Sequence, residues 1–328
     1  MKLLTIVVPS YNVEKYLRKA LDSYSYEDFR DELEVCIIND GSTDSTKQIA
    51  EEYVEKFPEI FKLINKENGG HGSTINVGLE VATGKYFRII DGDDWVITEN
   101  LKILLDYLRE CNTDIVCDVK REVYMDTGKS ELFPLPSCVT NKQIMKMEYV
   151  QTQNILIDYI MMHTASYKTD ILKKAKIKIL EHTFYVDYEF IVKASNYCND
   201  VSFIDLEIYQ YLVGNINQSV STVKRVERYG QHYRVISSIL DFYTKNDTYT
   251  HFNIRKLCIL LNMHFMILLV MFNNKHEGRK LALEFRKELK EKNPLYYKKT
   301  TNRYIFLKIC NYLHLSYNTL MKIRSIGK

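Results

Sequence analysis

The chain lacks most of the short motifs that announce a chemistry by themselves. Its seven cysteines are an odd number and form no Cys-x-x-Cys pair, so neither a disulfide scaffold nor a zinc framework is expected and the thiols read as reduced. No glycine loop ends in Gly-Lys-Ser/Thr, and none reads Gly-x-Gly-x-x-Gly. ATP-driven phosphoryl transfer and dinucleotide hydride chemistry are therefore unsupported. Leu3–Val8 is too short for the apolar stretch of a signal peptide and runs straight into Pro9, so no signal peptide is expected. The longest apolar stretch, Leu257–Phe272, has 16 residues and includes Asn262 and His264. A membrane span needs about 20 predominantly apolar residues, and the expectation is a buried or in-plane helix. No nucleic-acid-binding module is visible, and no nucleic-acid partner is expected.

What is present is enough apolar material for one large core or two smaller ones: 46% of 328 residues. The net charge of +3 conceals a strong polarity. Residues 223–328 hold 21 Lys/Arg against 7 Asp/Glu, and residues 1–222 hold 24 against 35. An acidic front and a basic tail predict two regions with different partners.

The front alternates strand and helix. Leu3–Val8, Leu33–Ile38, Ile60–Ile64 and Lys85–Ile90 are short apolar runs of the kind buried on both faces of a sheet. Helical spacing follows in 13–24, 45–57 and from Ile75 through Leu79 and Ala82. The repetition predicts an α/β fold, Rossmann-like, with a mostly parallel sheet and helices on both faces. Ligands of such sheets lie beyond the C-terminal strand ends, where all four polar turns fall. Pro9-Ser10-Tyr11-Asn12 ends the first strand, and Asn39 to Asp44 the second. A glycine-rich turn, Asn68-Gly69-Gly70-His71-Gly72, follows the third and offers backbone N–H groups to a phosphate at a helix start. Asp40 is placed to accept from a base N–H, and Gly41 permits close backbone approach.

The fourth turn is the most informative. Asp91-Gly92-Asp93-Asp94 puts three carboxylates within four residues, followed by Trp95, the only tryptophan. Clustered carboxylates repel one another, and a hard divalent cation, Mn²⁺ or Mg²⁺, takes such oxygen ligands together with phosphate oxygens. Alone, an Asp-x-Asp is more often a solvated acidic turn; the convergence of four turns on one edge reverses that balance.

The set Thr5-Ile6-Val7-Val8-Pro9-Ser10-Tyr11-Asn12, Ile38-Asn39-Asp40-Gly41-Ser42-Thr43-Asp44, Asn68-Gly69-Gly70, Ala82-Thr83-Gly84-Lys85-Tyr86 and Asp91-Gly92-Asp93-Asp94 resembles the family 2 glycosyltransferases. The resemblance is specific over residues 3–97 and weaker to about 222. It implies a GT-A fold catalytic domain over 1–222, with a donor half (1–117) and an acceptor half (118–222), before a basic helical region (223–328). It implies that Pro9, Tyr11 and Asn12 line a nucleoside pocket, with Asp40 on the base edge. Gly41, Asn68 and Gly70 would lie along the donor, Asp91 near ribose and sugar, and Asp93 on the metal. Such enzymes invert the anomeric centre and need one general base on the acceptor hydroxyl. In Phe184-Tyr185-Val186-Asp187-Tyr188-Glu189-Phe190, which resembles the family's Glu-Asp-x-x-Phe, Asp187 aligns with that base. Glu189 is the fallback, and N-capping of a helix Tyr188–Tyr197 is the alternative role for Asp187.

Two departures stand out. Val186 replaces the family's Glu, and Thr74-Ile75-Asn76 replaces Ala-Arg-Asn, which removes a diphosphate contact that His71 or Lys66 is placed to supply. His163 and His182 flank the acceptor side. Tyr211–Ser221 resembles the loop that closes the domain, with Gln218 and Ser219 near the donor phosphates. The processive Gln-x-x-Arg-Trp signature is missing, so transfer of one sugar at a time is expected. By resemblance, the donor is a UDP-sugar and the acceptor a glycan or lipid-linked saccharide in capsule, exopolysaccharide or wall-polymer assembly. A catalytically impaired nucleotide-sugar-binding protein is the alternative.

From residue 223 the pattern predicts helices over 224–246, 252–273, 277–292 and 301–325. Tyr304–Arg324 mixes basic and apolar residues, as in helices that lie on anionic membranes; the alternative is a helical subdomain that packs on the catalytic core with its lysines on the solvated face. The expected location is cytoplasmic, peripheral on the inner face of the cell membrane.

Overall fold

A computed structural model describes residues 2–214, 222–246 and 250–326. The chain divides into two compact units, residues 1–216 and 217–328.

The first unit opens with β1 (Leu4–Ser10), α1 (Glu14–Asp22), β2 (Leu33–Asp40), α2 (Thr46–Lys56), β3 (Phe61–Lys66), α3 (His71–Val81) and β4 (Tyr86–Ile89). β1 pairs in parallel with β2 and β4, and β2 with β3. Every residue of β1 and β2 is buried, as parallel strands covered on both faces must be. On one face Ile6, Val8, Val35 and Ile37 pack with Leu17 and Leu21 of α1. On the other, α3 lies so close that a Cβ on Gly78 would stand 2.5 Å from a Val7 methyl.

The chain continues through β5 (Trp95–Val96), α4 (Thr98–Glu110), β6 (Ile115–Tyr124), β7 (Ser130–Phe133), β8 (Gln143–Lys146), α5 (Met147–Val150), α6 (Asn154–Tyr159), β9 (Ala165–Lys168), α7 (Thr169–Lys174), α8 (Val186–Ser195) and β10 (Asp200–Val213). The sheet order is β3-β2-β1-β4-β9-β6-β10-β5, with β7 on β6 and β8 on β10. This is the mixed α/β sheet of a GT-A-like fold. β9 runs antiparallel to both β4 and β6, whereas the long β10 runs parallel to β6. Parallel pairing thus joins β1 to β4, and antiparallel pairs enter with β5, β7, β8 and β9. One fully buried ion pair crosses the seam. Arg88 on β4 binds Asp118 on β6 through two nitrogens, and its Nη2 also donates to the His163 carbonyl at 2.7 Å.

The second unit is helical: α9 (Thr222–Glu227), α10 (Tyr229–Asn246), α11 (His251–Met266), α12 (Lys275–Lys292), α13 (Pro294–Lys299), α14 (Thr301–Tyr312) and α15 (Tyr317–Ile326). Two helices expected to be continuous are interrupted. The 224–246 stretch breaks at Arg228, beside Gly230, its weakest helix former. The 301–325 stretch breaks after α14, where His314 takes a left-handed φ of 53°. The His314 N–H donates to the Asn311 carbonyl and the Leu315 N–H to that of Cys310, the paired bonds of a Schellman terminus. α11 runs on through a π-helical turn, Ile267–Met271. The combined His251–Met271 helix is long and apolar enough to cross a membrane, yet most of its residues are buried inside the protein. That burial is the pattern of a core helix.

Candidate active site

The strand ends supply the site. The carboxylate of Asp44 accepts from the amides of Glu14 and Thr46, tying together the N-termini of α1 and α2. Asn12, at φ 53°, accepts from the Thr43 N–H at 2.8 Å, and its own N–H donates to Ser42 Oγ. The first two turns are thus sewn to each other. Tyr11 stands beside them 51% exposed, an open aromatic face of the kind that stacks on a flat base. The Pro9 carbonyl accepts from the Gly92 N–H, which fixes the acidic turn against the end of β1.

Asp40 is buried at the end of β2 and accepts from four donors: Lys66 Nζ at 2.7 Å, the amides of Gly69 and Gly70 at 2.9 and 2.8 Å, and Ser73 Oγ at 3.3 Å. Its carbonyl accepts from Asn68 Nδ2. Asp40 thereby shapes the Asn68–Gly70 turn. A Cβ on Gly41, at φ 74°, would lie 3.0 Å from the Asn68 nitrogen. Lys66, one candidate to replace the absent Arg, is committed to Asp40.

His71 is held differently. Its Nε2 lies 2.8 Å from Asp91 Oδ1, while His163 Nε2 lies 3.7 Å from Asp91 Oδ2. One carboxylate thus sits between two imidazoles. Burial pulls the His71 ring down, but Asp91, helped by Asp187 and Asp40, outweighs it and raises the ring to about 9. Burial opposes the charge on Asp91 as well, yet His163 and His71 hold it at about 2. His163 also stacks on Tyr209, with centroids 5.2 Å apart.

Asp91, Asp93 and Asp94 bring one oxygen each within 4.8 Å of the others. Asp94 is buried; it accepts from the Tyr209 hydroxyl and, at 2.7 Å, from the Leu212 amide of β10. Burial, with Asp93 and Asp91 alongside, pushes it well above the usual carboxylate range. Asp93 is partly exposed. The all-oxygen donor set and the mutual repulsion that raises Asp94 fit a hard divalent cation.

Asp187 stands in the first turn of α8, partly exposed. It is not an N-cap. The helix starts at Val186, the cap position is Tyr185 at φ 68°, and no side chain caps it. Asp187 acts electrostatically on His71 and, with Asp91, Asp93 and Asp94, on Tyr211. Glu189 faces a different environment: it is buried, accepts from the Leu180 N–H at 3.0 Å and pairs with Lys193 at 2.7 Å. Val186 is fully buried.

A short segment, 179–183, links the two sides. The Asn76 amide exchanges two hydrogen bonds with Ile179, at 2.8 and 2.9 Å. The His182 N–H donates to the Gly69 carbonyl, and a Cβ on Gly70, at φ 80°, would touch the His182 backbone. Asn12, His182 and Tyr185, half of the six described non-glycine residues at positive φ, lie on these loops, which is where backbone strain collects in functional sites. Gln218 and Ser219 lie outside the described residues. Tyr209 and the Arg88–Asp118 pair carried no sequence signal, because their partners lie 115 and 30 residues away.

An exposed aromatic face, a glycine turn at a helix start and an acidic cluster thus gather at the strand ends of a GT-A-like sheet. Residues 5–175 match the sequence profile described as "Glycosyl transferase family 2", and the chain belongs to that family. "Putative glycosyltransferase EpsH" of Bacillus subtilis is 36% identical over 127 residues, 39% of this chain and 36% of the relative. "Poly(ribitol-phosphate) beta-N-acetylglucosaminyltransferase TarS" of Staphylococcus aureus is 28% identical over 224 residues, 68% of this chain and 37% of the relative. The chain thus spans little more than a third of the length of either. Among solved structures, S. aureus TarS 1–349 in complex with UDP-GlcNAc superposes with a TM-score of 0.71 at 23% identity, covering 97% of this chain and 93% of that one. That likeness shows the fold.

Proposed function

We propose that this chain is a metal-dependent inverting glycosyltransferase. It moves one sugar from a nucleotide-sugar, UDP-linked, to a hydroxyl of a glycan or lipid-linked saccharide in polysaccharide assembly in the cytoplasm. The observation that carries this reading is the acidic cluster after β4, where Asp91, Asp93 and Asp94 each bring an oxygen within 4.8 Å of the others and Asp91 also meets His71 at 2.8 Å. The TarS complex with UDP-GlcNAc favours a UDP donor. A mannosyltransferase of Pyrobaculum calidifontis with GDP-Man and Mn²⁺ shares the fold at TM-score 0.50 and favours Mn²⁺.

In this reading Tyr11 stacks on the base, with Pro9 and Asn12 forming the pocket. Asp40 holds the Asn68–Gly70 turn so that its backbone faces the donor, and Asp91 sits near ribose and sugar. Asp93 holds a Mn²⁺ or Mg²⁺ ion, which supplies positive charge for a diphosphate leaving group. His71, cationic beside Asp91, adds a protein-borne charge on the side where the family's Arg is missing. Asp187 takes the proton of the acceptor hydroxyl as that oxygen attacks the anomeric carbon. Gln218 and Ser219 are proposed for the donor phosphates.

Thermal unfolding of the purified chain with UDP, with and without Mn²⁺, tests the donor site. A ligand at 100 times its Kd contributes about 2.7 kcal/mol, a readable shift. Stabilisation by UDP that needs Mn²⁺ and disappears in Asp93→Ala is expected; no response to any nucleotide diphosphate overturns the reading. Asp187→Asn is expected to keep the UDP response and lose transfer. Val186 favours a second reading, a nucleotide-sugar-binding protein without turnover. It prevails if UDP binds while the unmodified chain transfers no sugar from a donor panel.

A further inference from the structure

Helix α14 turns an apolar face outward. Ile305, Phe306, Ile309, Tyr312 and the adjoining Leu313 are 46–64% exposed, while Tyr304, Leu307, Cys310 and Asn311 on the opposite side are buried. The spacing of the exposed set covers one side of a helix and its C-terminus. Single exposed apolar residues are ordinary, but a contiguous set marks an interaction surface. Nine described residues of the second unit are large, apolar and exposed, and seven of them lie between Leu295 and Met321. The surface is therefore local to α13, α14 and α15.

Its rim is basic. Residues 292–328 contain eight Lys/Arg and no Asp/Glu. Lys298, Lys299, Arg303 and Lys322 are exposed. The Arg303 guanidinium lies 5.3 Å from the Phe306 ring centroid, and Lys308 Nζ lies 6.0 Å from that of Tyr312. These charges stand over the apolar side chains, where long basic residues reach toward a polar boundary.

The charges decide between occupants. A second copy joined through the same face would oppose two basic rims with no acid between them, a repulsive arrangement. A nucleic acid would leave the apolar centre without a partner. An anionic bilayer satisfies both parts, with headgroup phosphates for the rim and the acyl boundary for the apolar face. We propose that the α14 face docks on an anionic lipid surface, with Ile305, Phe306, Ile309 and Leu313 at the headgroup level. This proposal is independent of the donor site.

Vesicle sedimentation of the full chain tests it, comparing phosphatidylcholine alone with phosphatidylcholine plus phosphatidylglycerol at low and high salt. Two variants accompany the parent: Ile305→Glu with Ile309→Glu, and Lys298→Glu with Lys299→Glu and Arg303→Glu. The expected result is sedimentation only with the anionic vesicles, weakened by salt. Losing a basic contact costs about five-fold in affinity, so the triple variant should bind on the order of 100-fold more weakly or worse. The double variant should lose binding at either salt concentration while its UDP-linked thermal shift is unchanged. Undiminished vesicle binding in both variants overturns the proposal. So does no binding to anionic vesicles, or a fall in solution mass from dimer to monomer in the double variant, which would assign the face to self-association. If the double variant does not fold, the triple variant and the salt dependence decide.

Discussion

The carboxylate of Asp91 lies between two imidazoles, His71 at 2.8 Å and His163 at 3.7 Å. Its pairing with His71 has a definite pH signature. The folded state raises His71 to about 9 from about 6.5 in an unfolded chain, so its contribution is complete below about 6.5 and is lost as pH rises through 9. Asp91 falls to about 2 from about 3.9, so its contribution is present above 3.9 and is lost as pH falls through 2. In metal-free protein, His71→Gln should therefore lower stability by about 1–3 kcal/mol between pH 4 and 6.5. The gap should narrow toward pH 9, and melting curves across that range check it; a gap independent of pH rejects the pairing as a source of stability. At this scale the sequence reveals residue types and not their division of labour. Asp91, Asp93 and Asp94 look equivalent in Asp-Gly-Asp-Asp, and only the fold brings Tyr209 and Leu212 to Asp94, across separations of 115 and 118 residues. Lys66 and His71 look equivalent in the sequence as well, and only the fold commits Lys66 to Asp40.

Among the elements, those from β1 to β4 were legible because the strands are short, apolar and divided by polar turns, and the helices keep their period. Those from β6 to β10 were not. β9 has four residues, and β10 carries Asp205 and Glu207 within its 14, so neither shows the apolar run or clean alternation that marks a strand. The 179–183 segment, which has no regular structure, is fixed by Asn76, Gly69 and Glu189. Gly72 is where this packing tolerates least, since a Cβ there would stand 2.0 Å from the Leu180 carbonyl oxygen, an atom of the backbone. Gly72→Ala should lower stability by about 1–3 kcal/mol and reduce transfer more than UDP binding, because the displaced segment leads to Asp187. Gly230→Ala, where a Cβ meets nothing within 4 Å, is the matched control and should be neutral or slightly stabilising. Equal behaviour of the two variants, in melting and turnover, would discredit this account of the segment.

At the scale of the whole molecule, two compact units of opposite charge share one chain. Thermal unfolding should accordingly depart from a single two-state transition, and UDP with Mn²⁺ should raise the component belonging to residues 1–216. Calorimetry with and without nucleotide checks this; one transition shifting as a whole would show the units unfolding together. The charge polarity was legible from residue counts alone, whereas the outward face of α14 was not. In sequence its apolar residues look like any core-facing stripe, and only the packing shows which stripe is left outside. The anchoring of 179–183 has a historical consequence too. The bonds described for it run to α3, the Gly69 turn and α8, not to the strands between β6 and β9. A lineage can therefore rewrite residues 125–162, by drift or by recombination, while Asp187 stays in step with the Gly69 turn. Variation in the strands between β6 and β9 and preservation of the site at the strand ends fall on different stretches of the gene.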